Sequence, residues 1–261
     1  MDSAPQAKKR IHFLDELRGF AVFCMIFYHA FFIIGSFFEI AAADWLFKFF
    51  MPVQPIFAGV FISICGLSCT LSKNNLKRGT ILLGVALGLT FVTAVVMPKL
   101  GFAECEIYFG ILHFLSVSIL IYALLSKAVL KISPFAGLLV CAVLYAFTSG
   151  ISGGYLSYGE LITLRLPESL YESNLLMPLG IYSPSFYSAD YFPLFPDLFI
   201  FFAGVFAGRY FAGKGYPEKW YKKRSSFFGF LGRNALIIYI AHMPIIYGAA
   251  YGIEMIINLF K

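Results

Sequence analysis

The apolar residues of the chain gather into seven long runs, at about residues 18–38, 47–71, 79–97, 107–126, 134–149, 193–212 and 235–257, separated by polar connections. Most of these runs approach or exceed the ~20 residues that carry a helix across a bilayer at ~1.5 Å per residue. Hydrocarbon offers the backbone no hydrogen-bond partner, so runs of this length predict helices that satisfy their own peptide groups. The pattern predicts an all-α, polytopic transmembrane helix bundle of about seven spans, one domain over residues 1–261. Outside the spans it leaves a polar leader (1–17), a long connection (150–192) and a basic linker (213–226). The fifth run is the shortest, at about sixteen residues.

Charge sets the expected orientation, because short cytoplasmic loops collect Lys and Arg. With the N-terminus in the cytoplasm, Lys8, Lys9, Arg10, Lys73, Lys77, Arg78, Lys127 and Lys131 fall on the cytoplasmic side. Arg209, Lys214, Lys219, Lys222, Lys223, Arg224 and Arg233 join them there. The opposite side receives Glu39, Asp44, Glu104, Glu106, Glu160, Glu168, Glu172 and Asp190. Removing the fifth crossing would move the basic 214–224 segment outside and the acidic 150–192 loop inside, against the rule twice. Seven crossings of the cell membrane, N-terminus inside and C-terminus outside, are therefore predicted. The first run is long and no small-residue cleavage site follows it, so it is expected to be retained as a span.

Composition agrees: 60% of residues are hydrophobic and only 13% charged, against about 25% charged in a soluble domain. The net charge of +6 lies in loops between spans. It points to membrane topology and anionic lipid headgroups, not to nucleic acid. The five cysteines, Cys24, Cys65, Cys69, Cys105 and Cys141, form no CxxC pair and no zinc-type spacing, so no metal is expected. Gly84/Gly88 and Gly204/Gly208 are GxxxG pairs suited to close helix contact, within the bundle or in a homodimer. The 43-residue connection 150–192 holds six tyrosines. A loop that long is functional or disordered, and its rings suit either sugar stacking or the headgroup interface.

Candidate chemistry starts in the first run, RIHFLDELRGFAVFCMIFYHAFFIIGSFF, which sets His29 where hydrocarbon should surround it. An ionisable group at that depth is costly and marks a site to be explained. Arg18 and His29 are eleven positions apart, which is about 16 Å along a helix and within ~20° of the same face. Asp15 lies near that stripe if the helix extends so far. Arg18 is either a snorkelling interfacial arginine or a bidentate phosphate clamp. Gly19 would let a ligand approach the backbone. His29 is either hydrogen-bonded to a neighbouring helix or a general base, since a neutral imidazole takes a proton from an amine or hydroxyl. A donor with phosphates at the cytoplasmic mouth and a reactive end about 16 Å deeper fits the spacing. Acyl-CoA has that shape.

RIHFLDELRGFAVFCMIFYH resembles the first helix of the heparan-alpha-glucosaminide N-acetyltransferase catalytic-domain family, notably its compact bacterial members. Further similar stretches follow in family order: 77–93, FGILHFLSVSIL (109–120), DYFPLFPDLFIFFAGVFAGR (190–209) and LGRNALIIYIAHMPIIY (231–247). The Arg-x10-His spacing is also similar to the signature of the membrane-bound acyltransferase-three family. The resemblance implies transfer of an acyl group, typically acetyl, from cytoplasmic acetyl-CoA to an extracytoplasmic sugar or glycan amine or hydroxyl. It places the family's first-helix polar position on His29 and its arginine on Arg18. It makes His113 and His242 candidates for lining a tunnel. Asp190, with Tyr191 beside it, would bind the acceptor or orient His29; otherwise it is an exposed charge or the cap of a helix starting near Pro193. Arg78, Arg233 and Asn234 would help hold the CoA phosphates, or the arginines are topological charge. Asp197 departs from the family's aromatic residue, which leaves the acceptor, and N- versus O-acylation, open. The competing reading is a membrane transporter or lipid- or glycan-handling protein using the same polar stripe.

Overall fold

The computed structural model describes residues 9–101, 105–159 and 161–259; the first eight leader residues (Lys8 among them), Glu104 and Glu160 lie outside the described residues. In chain order the helices are α1 (His12–Phe38), α2 (Ala41–Phe50), α3 (Gln54–Cys69), α4 (Asn75–Phe91), α5 (Ile111–Val129), α6 (Pro134–Thr148), α7 (Asp197–Lys214), α8 (Ser226–Arg233) and α9 (Ala235–Leu259). One antiparallel hairpin, β1 (Tyr155–Tyr158) with β2 (Ile162–Arg165), lies between α6 and α7. A 3-10 turn joins α2 to α3, and a π-turn at Val92–Val96 carries α4 on to Lys99.

Among the described residues six helical stretches are long and apolar enough to cross a membrane: His12–Gly35, Ala41–Cys69, Asn75–Lys99, Ile111–Val129, Pro134–Gly153 and Ala235–Ile253. The protein is therefore an all-α polytopic membrane protein. The short fifth run gains the turn Ile151–Gly153 and reaches 20 residues. α7 has 18 residues, but Asp197, Arg209 and Lys214 occupy its ends and shorten its apolar centre.

The chain divides into two compact units. The first comprises the residues up to Phe61 and those from Gly215 onward. Here α1 and α8 cross with their backbones in contact. A Cβ on Gly19 would sit 1.9 Å from the Phe228 carbonyl oxygen, and one on Gly232 1.7 Å from that of Asp15. Buried Glu16 accepts from the backbone N–H groups of Arg224 (2.7 Å) and Ser225 (2.9 Å). The Ser225 hydroxyl accepts from Phe228 N–H at 3.2 Å. Together they satisfy orphan donors at the start of α8 and place a negative charge at its positive end. At the other end the Asn234 side chain donates to the Phe230 carbonyl at 2.9 Å and closes α8. α9 then starts beside the first turns of α1 and meets it again where His242 lies against His29, so the two helices run in the same direction.

The second unit comprises Ile62–Lys214. Its α3 and α7 also touch backbone to backbone: a Cβ on Gly66 would lie 2.0 Å from the Phe201 carbonyl oxygen, and one on Gly204 2.0 Å from that of Ser63. Gly208 continues this contact against Leu67 and Thr70, whereas Gly84 and Gly88 have nothing within 4 Å. The Phe206 ring rests on Gly137, holding α6 to α7.

The ends of α5 are held by side chains distant in sequence. Asp190 Oδ2 accepts from Ile111 N–H at 3.0 Å. Arg209 donates to the carbonyls of Val129 (2.6 Å), Ile132 (2.7 Å) and Leu130 (2.9 Å). An acid at the N-terminus and a base at the C-terminus both complement the helix dipole. α5 thus begins at Ile111 rather than near 107, because residues before it pair with the segment before α7. Phe192 N–H donates to the Phe109 carbonyl (3.0 Å) and Ala189 N–H to that of Glu106 (2.9 Å).

The 150–192 connection is built, not structureless. Besides the hairpin, Tyr171 donates to the Ile151 carbonyl, Tyr191 donates to the Met177 carbonyl at 2.6 Å, and Asn174 Oδ1 accepts from Ser183 N–H at 3.0 Å. Burial, with Tyr182 adding to it, pushes the Tyr191 phenol above its ordinary range. The neutral, donating phenol is the form the folded loop favours.

Two predictions follow from this packing. Gly204→Val forces a side chain into the Ser63 backbone and is expected to lower stability by ~2 kcal/mol or more, whereas Gly84→Ala leaves it unchanged or slightly raised; thermal unfolding in one detergent compares them. For Tyr191, a raised folded value means its stabilisation is whole below ~10, the free tyrosine range, and is lost as pH rises through the folded value. Loop opening, read by proteolysis within 150–192, is therefore expected only at strongly alkaline pH, and Tyr191→Phe should remove the part of that pH dependence due to this phenol.

Candidate functional site

Because α1 is unbroken from His12, Asp15, Arg18 and His29 lie on one helix. The buried Asp15 carboxylate stands between two guanidinium groups, accepting from Arg10 at 2.7 Å and from Arg18 at 3.3 Å. Arg18 also reaches the Gly232 carbonyl, at the 3.5 Å limit of a hydrogen bond. Arg10 is 55% exposed, so its ion pair contributes little to stability. Arg10 and Arg18 balance Asp15 and Glu16, and exposed Lys9 leaves this end of the helix with a net positive charge. Exposed Arg233 adds to it, making no hydrogen bond or ion pair among the described residues. Asn234 is committed to closing α8.

Gly19 takes a different part from the one expected. The space a ligand would need beside it is filled by the Phe228 carbonyl. Its missing side chain admits a helix, and the backbone approach expected of a ligand is made by α8.

Eleven residues further along α1, His29 meets His242 of α9, ring centroids 5.2 Å apart at 49°. His242 is buried, and its Nδ1 is hydrogen-bonded to the Tyr239 carbonyl. A carbonyl can only accept, so Nδ1 carries the proton and the neutral ring keeps its lone pair on Nε2. Half-buried His29 makes no hydrogen bond among the described residues; its ring contacts are Tyr28 and His242. Its nitrogens are thus uncommitted among the described residues, which suits a group that exchanges protons with a ligand.

The remaining expected site residues, Arg78, His113, Asp190 and Tyr191, belong to the second unit. His113 is buried and fully engaged. Its Nδ1 accepts from Gly110 N–H at 3.3 Å, and its Nε2 lies 3.0 Å from the Thr90 hydroxyl. Thr90 gives its own proton to the Ile107 carbonyl at 2.7 Å, so Nε2–H is the donor in that pair. With both nitrogens occupied, His113 fastens the start of α5 to α4. Asp190 is a helix cap, but of α5 and not of a helix near Pro193. Tyr191 anchors the loop at Met177. Arg78 points its guanidinium at the sulfurs of Cys69 (3.8 Å) and Cys65 (3.5 Å). No group of three or more His, Cys, Asp or Glu residues with metal-binding arrangement occurs among the described residues.

Three contributors escaped the sequence analysis. Arg209 was read as cytoplasmic loop charge, and neither Glu16 nor Gly232 was singled out. A signal existed for the last: a histidine follows ten residues after Gly19 and again ten residues after Gly232. That repetition brings the same two residue types together where α8 crosses α1 and where α9 meets it.

No curated protein and no solved structure matches the chain. The sequence model of one family, heparan-alpha-glucosaminide N-acetyltransferase, catalytic, matches residues 10–244. That match runs from the arginine paired with Asp15 to just beyond His242, covering both units and every candidate residue above. The chain belongs to the heparan-alpha-glucosaminide N-acetyltransferase catalytic family, a family of membrane acetyltransferases.

Proposed function

We propose that this protein transfers an acyl group, acetyl by family, from cytoplasmic acyl-CoA to an amine or hydroxyl of an extracytoplasmic sugar or glycan, with His29 as general base. The observation that carries the reading is the imidazole pair, His29 of α1 against His242 of α9, with Arg18 nearer the start of α1. Arg18 and exposed Arg233 supply the positive charge for the donor's phosphates, and a guanidinium holds phosphate oxygens in a bidentate grip. The ~16 Å between Arg18 and His29 matches the reach from a nucleotide head to a thioester.

In the reaction the acceptor N–H or O–H loses its proton to His29 as its heteroatom attacks the thioester carbonyl carbon. The C–S bond then breaks, and the CoA thiolate leaves and takes up the proton held by His29. Acyl group, proton and electron pairs all balance without a metal or redox partner. His242 supports the step as a positioning residue: with Nδ1–H tied to Tyr239, its Nε2 lone pair accepts a hydrogen bond or meets charge that develops on His29. Asp190 and His113 are assigned to holding α5, not to proton transfer.

The direction of α9 supports an odd number of crossings. α9 enters beside the start of α1 and runs with it, so two parallel spans at the ends of the chain require an odd total. Six stretches qualify by length and apolarity, and α7 is the seventh. Together with the lysines and arginines of the loops, this supports a cytoplasmic N-terminus and a chain seated in the cell membrane.

The test is release of free thiol from acetyl-CoA by the purified protein with simple hexosamines as acceptors. His29→Ala is expected to lower kcat about 10²–10⁴-fold, with the donor KM unchanged. Arg18→Ala is expected to raise the donor KM about tenfold or more, the worth of a lost charge-assisted hydrogen bond. Turnover in His29→Ala equal to the parent's would remove the mechanism. Asp190→Asn should lower the unfolding temperature while the active fraction keeps its kcat; a loss of kcat without loss of stability would return Asp190 to the chemistry.

A further inference from the structure

The hairpin that follows α6 is amphipathic. Its strands pair in the register Tyr155–Arg165, Leu156–Leu164, Ser157–Thr163 and Tyr158–Ile162. Residues opposite one another on antiparallel strands share a face, and the faces alternate along each strand. One face therefore carries Tyr155, Arg165, Ser157 and Thr163, and the other Leu156, Leu164, Tyr158 and Ile162. The first is polar and the second apolar.

The chain engages the polar face and leaves the apolar one open. From the polar face the Tyr155 ring reaches back to lie on Gly150 and Gly153. Leu166 N–H donates to the Gly154 carbonyl at 2.8 Å and closes the base of the hairpin. On the apolar face Ile162 is 58% exposed, Leu164 55% and Tyr158 45%, and Leu161 in the turn is 84% exposed. A lone two-stranded hairpin is marginal in water and needs a covered face. Facing water, these side chains would also form a sticky edge that proteins avoid.

The position of the hairpin decides what covers it. α6 with its final turn, Pro134–Gly153, is one of the membrane-crossing stretches, and β1 begins at Tyr155, directly beyond it. β1 then packs against α6 itself instead of leading away from it. The hairpin is thereby held at the level where a membrane helix ends. It has only two strands, so each keeps an outer edge of N–H and C=O groups that hydrocarbon cannot satisfy. That confines the backbone to the hydrated headgroup layer and lets only the apolar side chains reach acyl chains. A tyrosine such as Tyr158, apolar in its ring and polar at its tip, suits this boundary.

We propose that the β1–β2 hairpin is an interfacial anchor whose occupant is lipid. Leu156, Tyr158, Ile162 and Leu164 lie on the bilayer at the face where α6 ends, and they hold the 150–192 connection down against the membrane. Binding is by apolar area: that face carries no cation, and Arg165 belongs to the opposite one. A zwitterionic bilayer is therefore sufficient. The anchor needs no donor, acceptor or reaction, so it stands apart from acyl transfer.

The experiment places tryptophan at adjacent positions on the two faces, Leu164→Trp and Thr163→Trp. The full chain is held at one copy per phosphatidylcholine nanodisc, and the parent, with Trp45 and Trp220, supplies the background emission. Leu164→Trp is expected to be quenched by lipid brominated just below the headgroup and shielded from aqueous iodide, and Thr163→Trp the reverse. Equal quenching of the two by iodide would overturn the proposal. So would a Leu164→Trp shielded from iodide but untouched by brominated lipid, because the chain itself would then be the cover. Shielding that arises only at two copies per disc would hand the face to a second copy and overturn it as well. Independently, the pair Ile162→Asp and Leu164→Asp in one chain should speed tryptic cleavage after Arg165 in nanodiscs about tenfold or more. Thr163→Asp, which burdens the strand on its polar face, should leave the rate near the parent's. An unchanged thermal unfolding temperature shows that these variants keep their helices. Equal acceleration by Thr163→Asp, or none in the double variant, would refute the anchor.

Discussion

In hydrocarbon, apolar side chains gain nothing by leaving lipid for protein, so helices associate through close packing and polar contacts. The structure meets this constraint by removing side chains where helices cross. Gly19 and Gly232 bring α1 and α8 into backbone contact in one unit, and Gly66 and Gly204 do the same for α3 and α7 in the other. In each case both partners contribute a glycine, so that neither backbone is held off by the other's Cβ. The remaining architecture of each unit is arranged around its crossing. In the first, the crossing fixes where α9 begins, and so which residue of α9 comes level with His29.

Polar groups finish what the glycines begin, and they do so chiefly at helix ends. Glu16 and Ser225 occupy the start of α8, Asp190 the start of α5, and Arg209 its end. An unpaired peptide group at the end of a membrane helix is expensive because water is scarce. Charged side chains are well suited there, since a charge-assisted bond is stronger and the helix dipole has the matching sign. Asp190 and Arg209 sit nineteen positions apart and grip the two ends of a 19-residue helix. A segment that looks like a loop acid followed by a positive-inside arginine is also a clamp. Topology and stability draw on the same side chains.

This double use explains what could be read from sequence and what could not. The spans were legible because long apolar runs have few other fates, and the α1 stripe was legible because helix geometry fixes which residues share a face. Asp15, Arg18 and His29 needed no tertiary information to be placed together on one helix. The partners were not legible. Nothing local to Glu16 says that it receives N–H groups from residues 224 and 225, and nothing in Gly19 distinguishes room for a ligand from room for a helix. His113 and His242 looked alike as isolated intramembrane histidines. Their surroundings separate them: Thr90 and Gly110 occupy both nitrogens of the first, while the second lies against His29. The order within the loop was not legible for a related reason, since it comes largely from side chain to backbone bonds that have no periodicity to detect.

The contrast between those two histidines carries the chemical argument. A ring with both nitrogens bonded is a strut, because taking up a proton would convert its accepting nitrogen into a donor facing Gly110 N–H. A ring that gives neither nitrogen to another group among the described residues breaks no hydrogen bond on protonation. His29 is of the second kind, and its neighbour is an imidazole whose tautomer is set by a backbone carbonyl. Fixing the tautomer of the supporting ring removes one way in which the pair could be unproductive, and leaves a lone pair on Nε2. For the base proposed above, such an arrangement matters more in a membrane than in water, since no bulk water is at hand to take or return a proton. On the proposed reading the proton chemistry falls to His29 on α1, while Asp190, His113 and Arg209 serve the ends of α5.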